Sequence, residues 1–186
     1  MSTVTRRLSV DQYEQMVKYG ILPETNRLEL VEGRILEKEM KDPEHSTVVE
    51  MTREAIARVL PRGWITRQEQ PVRIPNRKSE PEPDISVVRG SLRDYAKRHP
   101  DPGDVALVVE VTRSTVAKDR ALARTYGGGG IPAYWIVNVE KQRLEVYEGP
   151  TDGKYPAPRI LGKEDSVPLL IDGRDVGPIA VASLFP

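Results

Sequence analysis

The stretch Ala106-Leu-Val-Val-Glu-Val-Thr112 decides the fold of this chain. Apart from Glu110, every residue in it is apolar or β-branched, a composition typical of a strand buried inside a sheet. Burying an unpaired carboxylate is strongly unfavourable, and such a group protonates unless it finds a partner. The sequence therefore predicts a partner for Glu110, either a metal ion or one of the arginines that follow it.

Length and composition limit the number of domains, the kinds of partner and the types of site that this chain can have. With 186 residues, the chain is expected to form one domain over residues 1–186. Because 28 basic residues balance 28 acidic ones, the overall charge gives no evidence about a polyanionic partner. The absence of cysteine excludes disulfides and thiolate metal sites. We expect a soluble, cytoplasmic protein with no membrane partner, because no apolar run approaches a membrane span of roughly 20 residues and residues 1–7 lack a signal-peptide core.

The first third of the chain predicts two helices and a hairpin. Ser9 caps a helix that Gly20 ends, and residues 27–31 and 34–38 flank a Glu32-Gly33 turn as a β-hairpin. Alternation in its first strand places Glu29 on the face opposite Leu28 and Leu30, where it is either a solvated carboxylate or part of a site.

A second helix is predicted to begin at Asp42-Pro43 and to run through Leu60 with an apolar stripe facing the core. His45 falls in its polar first turn. A histidine in that position is expected to be solvent-exposed or to cap the helix more readily than to bind a ligand.

Beyond this helix the sequence predicts a sheet. Residues 64–74 form an edge-like strand, since Pro71 disfavours a central position. Residues 84–89 form a second strand, and a short helix occupies residues 91–98. After the central strand, Ser114 or Thr115 caps a helix that ends at the glycine run 127–130. Residues 133–138 and 143–147 form another hairpin, and the tail contributes short apolar segments at 167–171 and 179–181.

Asp84 and Glu110 form the candidate site. Asp84 begins one strand and Glu110 lies near the end of another, so antiparallel pairing would bring the two carboxylates together. Carboxylates with a main-chain carbonyl and water suit Mg²⁺ or Mn²⁺. The following segment carries four cations, namely Arg113, Lys118, Arg120 and Arg124. Acids, metal and cations together describe a site for phosphodiester cleavage.

Simpler interpretations of each residue stay open at this point. Asp84 could cap a turn, Glu110 could form a salt bridge with Arg113 or Arg120, and the cations could lie on a solvated helix face.

Several motifs resemble the Uma-two family of putative restriction endonucleases, which belongs to the PD-(D/E)XK nuclease superfamily. They occur in the family's order from about residue 8 to residue 185: Leu28-Glu-Leu-Val-Glu-Gly33, Pro83-Asp84, Val108-Val-Glu-Val-Thr112, Asp119-Arg120 and Ile131-Pro-Ala-Tyr-Trp-Ile-Val-Asn138 with Leu144-Glu-Val-Tyr147. The resemblance implies an α/β, restriction-endonuclease-like fold: a mixed central sheet flanked by helices, with additional β-hairpins.

The resemblance also implies Mg²⁺-dependent cleavage of DNA, with Asp84 and Glu110 as metal ligands. Glu29 matches an early acidic position of the family that often completes the site. This sequence departs from the pattern at Thr112, which replaces the superfamily lysine and cannot supply a charge. Lys118 is the closest substitute and is the candidate for positioning the attacking water. The four-glycine run is the second departure.

These departures keep other functions open. The alternative to an endonuclease is a catalytically impaired nuclease-fold protein that binds DNA or a protein partner, and a third possibility is an interaction module with a salt-bridged Glu110. A homodimer is a further expectation, because two sites related by a two-fold axis can cut both strands of a duplex.

Overall fold

The computed structural model describes residues 6–23, 27–38, 40–113 and 116–186. Its centre is a six-stranded mixed sheet with the order β3-β4-β5-β6-β7-β8. The strands are β3 (Trp64–Gln68), β4 (Ile85–Arg89), β5 (Val105–Thr112), β6 (Ala133–Asn138), β7 (Arg143–Glu148) and β8 (Arg159–Leu161). β5 and β6 are parallel, and the other neighbours are antiparallel. The predicted α/β fold with a mixed sheet is confirmed.

β5 contains the stretch that decides the fold, and all eight of its residues are buried. It lies third in the sheet, between β4 and β6, and this interior position explains its nearly continuous apolar sequence. The prediction that β3 is an edge strand is also confirmed, although β3 ends at Gln68, before Pro71.

The described part of the chain contains three α-helices: α1 (Val10–Lys18), α2 (Pro43–Val59) and α3 (Val116–Gly129). Ser9 caps α1 with a capping box, and Asp42 caps α2 by accepting a hydrogen bond from the backbone N–H of His45. The predicted cap of α3 at Ser114 or Thr115 lies outside the described residues. None of the helices described is long and apolar enough to cross a membrane.

Two hairpins complete the fold: β1 (Leu28–Val31) with β2 (Arg34–Glu37), and β9 (Ser166–Ile171) with β10 (Arg174–Ala180). The short helix predicted at residues 91–98 is a single 3₁₀ turn, Leu92–Tyr95. The division into one domain over residues 1–186 stays a prediction.

Different elements cover the two faces of the sheet. On one face α2 and the β9–β10 hairpin pack against side chains that include Val109 and Val111. On the other face α3 packs through Tyr126 against Val108. Because Glu110 lies two residues after Val108, its side chain points to the α3 face. The first turns of α2 and α3 both lie near the end of β5, and this is where the candidate site forms.

The prediction that the glycine run ends α3 is confirmed, although the helix continues through three of the glycines to Gly129 and only Gly130 of the run has a positive φ, +83°. The reason is close packing. A Cβ on Gly127 would lie 3.0 Å from the Tyr155 ring, and one on Gly129 would lie 2.5 Å from Cγ2 of Ile74. Tertiary contact therefore overrides the low helix propensity of glycine in this helix.

We expect Gly129→Ala to destabilise the protein by about 1–3 kcal/mol, because overpacking against Ile74 outweighs the helix propensity gained. Gly103→Ala is the matched control, since a Cβ there would meet nothing within 4 Å. The control should stay within about 0.5 kcal/mol of the original chain. Urea unfolding of both variants measures the difference, and equal stabilities would contradict the packing argument.

Candidate active site

The structure brings Asp84 and Glu110 together as the antiparallel register requires. Ile85 pairs with Val109, so Asp84 faces Glu110 across the strands. The backbone N–H of Val111 donates to Oδ2 of Asp84 at 2.7 Å, and the backbone N–H of Asp84 lies 3.4 Å from Oε2 of Glu110. Both residues are buried, with 3% and 8% of their surfaces exposed. The interpretation of Asp84 as a turn cap is wrong, because its carboxylate binds the neighbouring strand.

Glu110 is a buried acid that forms no ion pair with any residue in the described part of the chain. Burial, followed by the negative charge of Asp84, raises the pKa of Glu110 well above its ordinary value. The hydroxyl of Tyr126 on α3 donates to Oε1 of Glu110 at 2.9 Å. This neutral donor orients the carboxyl group without supplying charge.

Arg113 and Arg120, the two arginines predicted as possible partners of Glu110, bind other acids. Arg113 lies 2.8 Å from the carboxylate of Asp42, and Arg120 binds Glu145 with two hydrogen bonds of 2.9 and 2.5 Å. The salt bridge predicted between Glu110 and Arg113 or Arg120 is therefore wrong, while the interaction module stays a hypothesis.

Asp84 has cationic neighbours instead. Nζ of Lys41 lies 2.5 Å from Oδ1, and Nε2 of His45 lies 3.3 Å from Oδ2. Burial alone would raise the pKa of Asp84, but the hydrogen bond from His45 and the charge of Lys41 hold it at about 2. The two acids therefore have opposite environments: Asp84 is held ionised, and Glu110 is pushed towards its neutral form.

Glu29 and Asp119 extend the acidic cluster. The solvated alternative for Glu29 is wrong, since only 3% of it is exposed and its Oε2 accepts the backbone N–H of Glu82 at 3.2 Å. Asp119, in the first turn of α3, is also buried, and burial raises its pKa to about 6. Glu29, Asp84, Glu110 and Asp119 line one cleft of about 210 Å³.

Four basic side chains line the same cleft: Lys38, Lys41, Arg113 and Lys118. Lys118 is exposed, and in the part of the chain that the structure describes it forms no ion pair with Asp84 or Glu110. Of the other two cations predicted for the site, Arg120 is bound to Glu145 and Arg124 is exposed outside the cleft lining.

The sequence pattern predicted that His45 is exposed or caps the helix, and it contained no signal that Lys41 belongs to the site. His45 is not solvent-exposed: its Nε2 lies 2.9 Å from the carbonyl oxygen of Val111, and its side chain is only 13% exposed. The Asp42-Pro43 cap fixes the first turn of α2, but which side of that turn meets β5 depends on tertiary packing. Lys41 lies in the connection before α2, where no local pattern marks a site.

The oxygen atoms around the cleft fit a hard divalent cation. Asp84, Glu110 and Val111 line the same cleft, and the Val111 carbonyl oxygen lies 2.9 Å from Nε2 of His45, which also lines it. Within the described residues, no group of three or more acidic or histidine side chains is arranged closely enough to hold an ion. The fit therefore rests on two carboxylates, a main-chain carbonyl and water, a set that suits Mg²⁺ or Mn²⁺.

Comparisons with known proteins agree with the resemblance found in the sequence. The Uma2 (Uma-two) family, described as "Putative restriction endonuclease", matches residues 10–177. A crystal structure of a putative nuclease belonging to DUF820 from Anabaena variabilis superposes with a TM-score of 0.71 and 20% sequence identity. The superposition covers 96% of this chain and 97% of that one, and at this identity it shows a common fold. No curated protein sequence matches the chain significantly.

Proposed function

Because the chain belongs to the Uma2 family of putative restriction endonucleases, we propose that it is a metal-dependent DNA endonuclease. The observation that carries this proposal is the acid pair Asp84 and Glu110, buried side by side at the end of β5. Glu110 forms no ion pair within the described residues, and burial and Asp84 outweigh the charge of Lys38, so its pKa stays raised and folding maintains an unfavourable group at this position. A divalent ion shared by the two carboxylates would give that group its partner.

In this proposal Asp84 and Glu110 hold Mg²⁺ or Mn²⁺, and Glu29 assists from the β1–β2 hairpin. A bound ion of this kind polarises the phosphate and lowers the pKa of a coordinated water. Lys118, at the open side of the cleft, is the candidate from sequence for positioning the attacking water. Tyr126 fixes the orientation of Glu110, and the Val111 backbone N–H fixes that of Asp84.

Plasmid nicking tests the proposed activity. Supercoiled DNA incubated with the purified protein should be nicked in Mg²⁺ or Mn²⁺ and left intact in EDTA, because the carboxylates alone cannot stabilise the charge that develops on the phosphate. A heat-denatured sample and a Ca²⁺ sample serve as controls. Cleavage that persists in EDTA, or no cleavage with either ion, would contradict the proposal.

The second candidate function is a catalytically impaired nuclease-fold protein that binds DNA or a protein partner. Thr112 favours it, because this buried residue stands two positions after Glu110 and carries no charge. DNA affinity measured with and without Mg²⁺ distinguishes the two functions. Salt-sensitive binding that is indifferent to Mg²⁺ and leads to no cleavage favours the binding protein.

A homodimer also belongs to the proposal, since two active sites related by a two-fold axis suit the two strands of a duplex. A dimer in sedimentation experiments, together with linear plasmid formed without accumulation of the nicked form, is the expected result. A monomer that only nicks would contradict this part of the proposal.

Tyr126→Phe should lower the nicking rate about 10-fold, because removing the hydroxyl leaves Oε1 of Glu110 without the donor that orients it. Tyr155→Phe is the matched control: its hydroxyl donates to the Ile131 carbonyl at 2.7 Å, away from the acids. Initial rates at saturating Mg²⁺ measure the effect. Equal losses in both variants would indicate a general effect on the tyrosine cluster and contradict a specific role for Tyr126.

A further inference from the structure

Lys41 is the cation most tightly built into the acidic cleft. Its Nζ lies 2.5 Å from Oδ1 of Asp84 and 2.5 Å from Oε1 of Glu69. Its side chain is 12% exposed, a low value for a lysine outside any helix or strand. Two carboxylates in direct contact with the ammonium group offset the cost of burying it.

The second of these carboxylates is held in an unusual conformation. Glu69 follows directly after β3 and has a φ of +50°, in the left-handed region that non-glycine residues rarely adopt. Its backbone N–H donates to the carbonyl oxygen of Asp84 at 3.2 Å. This strained turn therefore fixes Glu69 to the strand entry that carries Asp84, with its carboxylate on Lys41. Backbone strain of this kind concentrates at functional sites.

The other cations that line the cleft have different partners. Lys38 donates to the carbonyl oxygen of Glu82, and Arg113 pairs with Asp42. Lys118 is exposed. Among the lysine and arginine residues that the structure describes, Lys41 alone contacts the carboxylate of Asp84 or Glu110.

We propose that Lys41 supplies the catalytic positive charge that Thr112 cannot, in place of the role that the sequence assigned to Lys118. This inference rests on the proposed endonuclease function. In hydrolysis a water oxygen bonds to phosphorus, the bond to the leaving sugar oxygen breaks, and that oxygen takes a proton as the water loses one to solvent. Negative charge grows on the phosphate during this step, and an ammonium group held beside the acid pair stabilises it. Glu69 keeps that group in place when Asp84 binds another cation.

Chemical rescue tests the role of Lys41, because the chain contains no cysteine. In Lys41→Cys the new thiol is the only one, and alkylation with 2-bromoethylamine restores an ammonium group at nearly the original length. Nicking should fall about 10²-fold or more in Lys41→Cys, recover largely after aminoethylation, and stay low after alkylation with neutral iodoacetamide. Lys163→Cys, at an exposed lysine that does not line the cleft, is the matched control and should stay within about threefold of the original rate throughout. Lys118→Cys, treated identically, tests the competing assignment.

Metal affinity provides a measurement independent of activity. Calorimetric titration with Mn²⁺, without DNA, should give binding about fivefold tighter or more for Lys41→Cys, because the ammonium group competes with the ion for Asp84. Lys41→Met, which keeps the length of the side chain, should behave in the same way and shows that the fold is intact. A purely structural role would instead weaken Mn²⁺ binding and nicking together in both variants.

The outcomes separate this inference from the proposed function. If the unmodified chain neither nicks DNA nor binds Mn²⁺, the endonuclease proposal fails and the role of Lys41 fails with it. If the unmodified chain nicks DNA and Lys41→Cys does so equally well, only the role of Lys41 is overturned. Loss of nicking in Lys118→Cys that aminoethylation rescues would return the role to Lys118.

Discussion

Asp84→Asn is expected to reduce metal-dependent nicking by about 10²–10³-fold or more. Asparagine has the size of aspartate, and its side-chain oxygen can still accept the hydrogen bond from the Val111 backbone N–H, which spans 2.7 Å in the original chain. The variant loses the negative charge, so the proposed ion loses a ligand and Lys41 and His45 lose their anionic partner. The initial rate of plasmid nicking in Mg²⁺ measures this loss.

Asp172→Asn is the control for Asp84→Asn. Asp172 is an exposed acid that pairs with Arg89 at 2.6 Å on the surface, and its removal should leave the rate unchanged. An Asp84→Asn protein that folds normally and keeps more than about a tenth of the rate would contradict the proposed role of Asp84.

Glu110→Gln should eliminate nicking and, at the same time, make the metal-free protein more stable at neutral pH. The folded-state pKa of Glu110 is raised above its ordinary value of 4.5, first by burial and then by Asp84. Ionisation therefore opposes folding as the pH rises above 4.5, whereas below that value both states are protonated and the effect is absent. Removing this destabilisation should raise Tm, by roughly 2–4 °C for each kcal/mol of stability gained in a chain of this size.

Glu145→Gln is the matched variant for stability. Glu145 is also a buried carboxylate on a strand, but Arg120 binds it with two hydrogen bonds. Breaking that pair should cost about 1–3 kcal/mol. Thermal unfolding of both variants across pH 4 to 8 compares them. A decrease in Tm for Glu110→Gln similar to that for Glu145→Gln would contradict the interpretation of Glu110 as an uncompensated acid.

Metal should reverse the order of stability of the original chain and Glu110→Gln. An ion that binds only the folded state stabilises it by about 2.7 kcal/mol at a hundred times its dissociation constant. The original chain should gain this stability in Mn²⁺, whereas Glu110→Gln should gain little. The destabilising acid would then be explained by the function it serves, as in other active sites where stability and activity oppose each other.

Local sequence patterns were enough to predict the acid pair. The apolar run around Glu110 predicted a buried strand, and antiparallel pairing of residues 84–89 with it was the condition for bringing the two acids together. The structure has that pairing. Those two inferences placed Asp84 beside Glu110. They depend on the spacing of apolar residues and on the order of the strands along the chain, both of which can be taken directly from the amino-acid sequence.

Tertiary packing determines the features of the site and of α3 that local sequence patterns did not predict. Alternation placed Glu29 opposite Leu30, but only the assembled fold shows that both faces of β1 are covered. Lys41 reaches Asp84 across 43 positions of the chain, and no local signal specifies such a contact. The glycine run continues α3 because Ile74 and Tyr155 pack against its backbone, which propensity alone could not reveal.

Diffraction from crystals soaked in Mn²⁺, recorded with its anomalous signal, tests the central claim most directly. The account predicts one strong anomalous peak between the carboxylates of Asp84 and Glu110, and predicts that the same peak is absent from Asp84→Asn crystals. Crystals at saturating Mn²⁺ that show no peak between these carboxylates, with Nζ of Lys41 still on Oδ1 of Asp84, would contradict it.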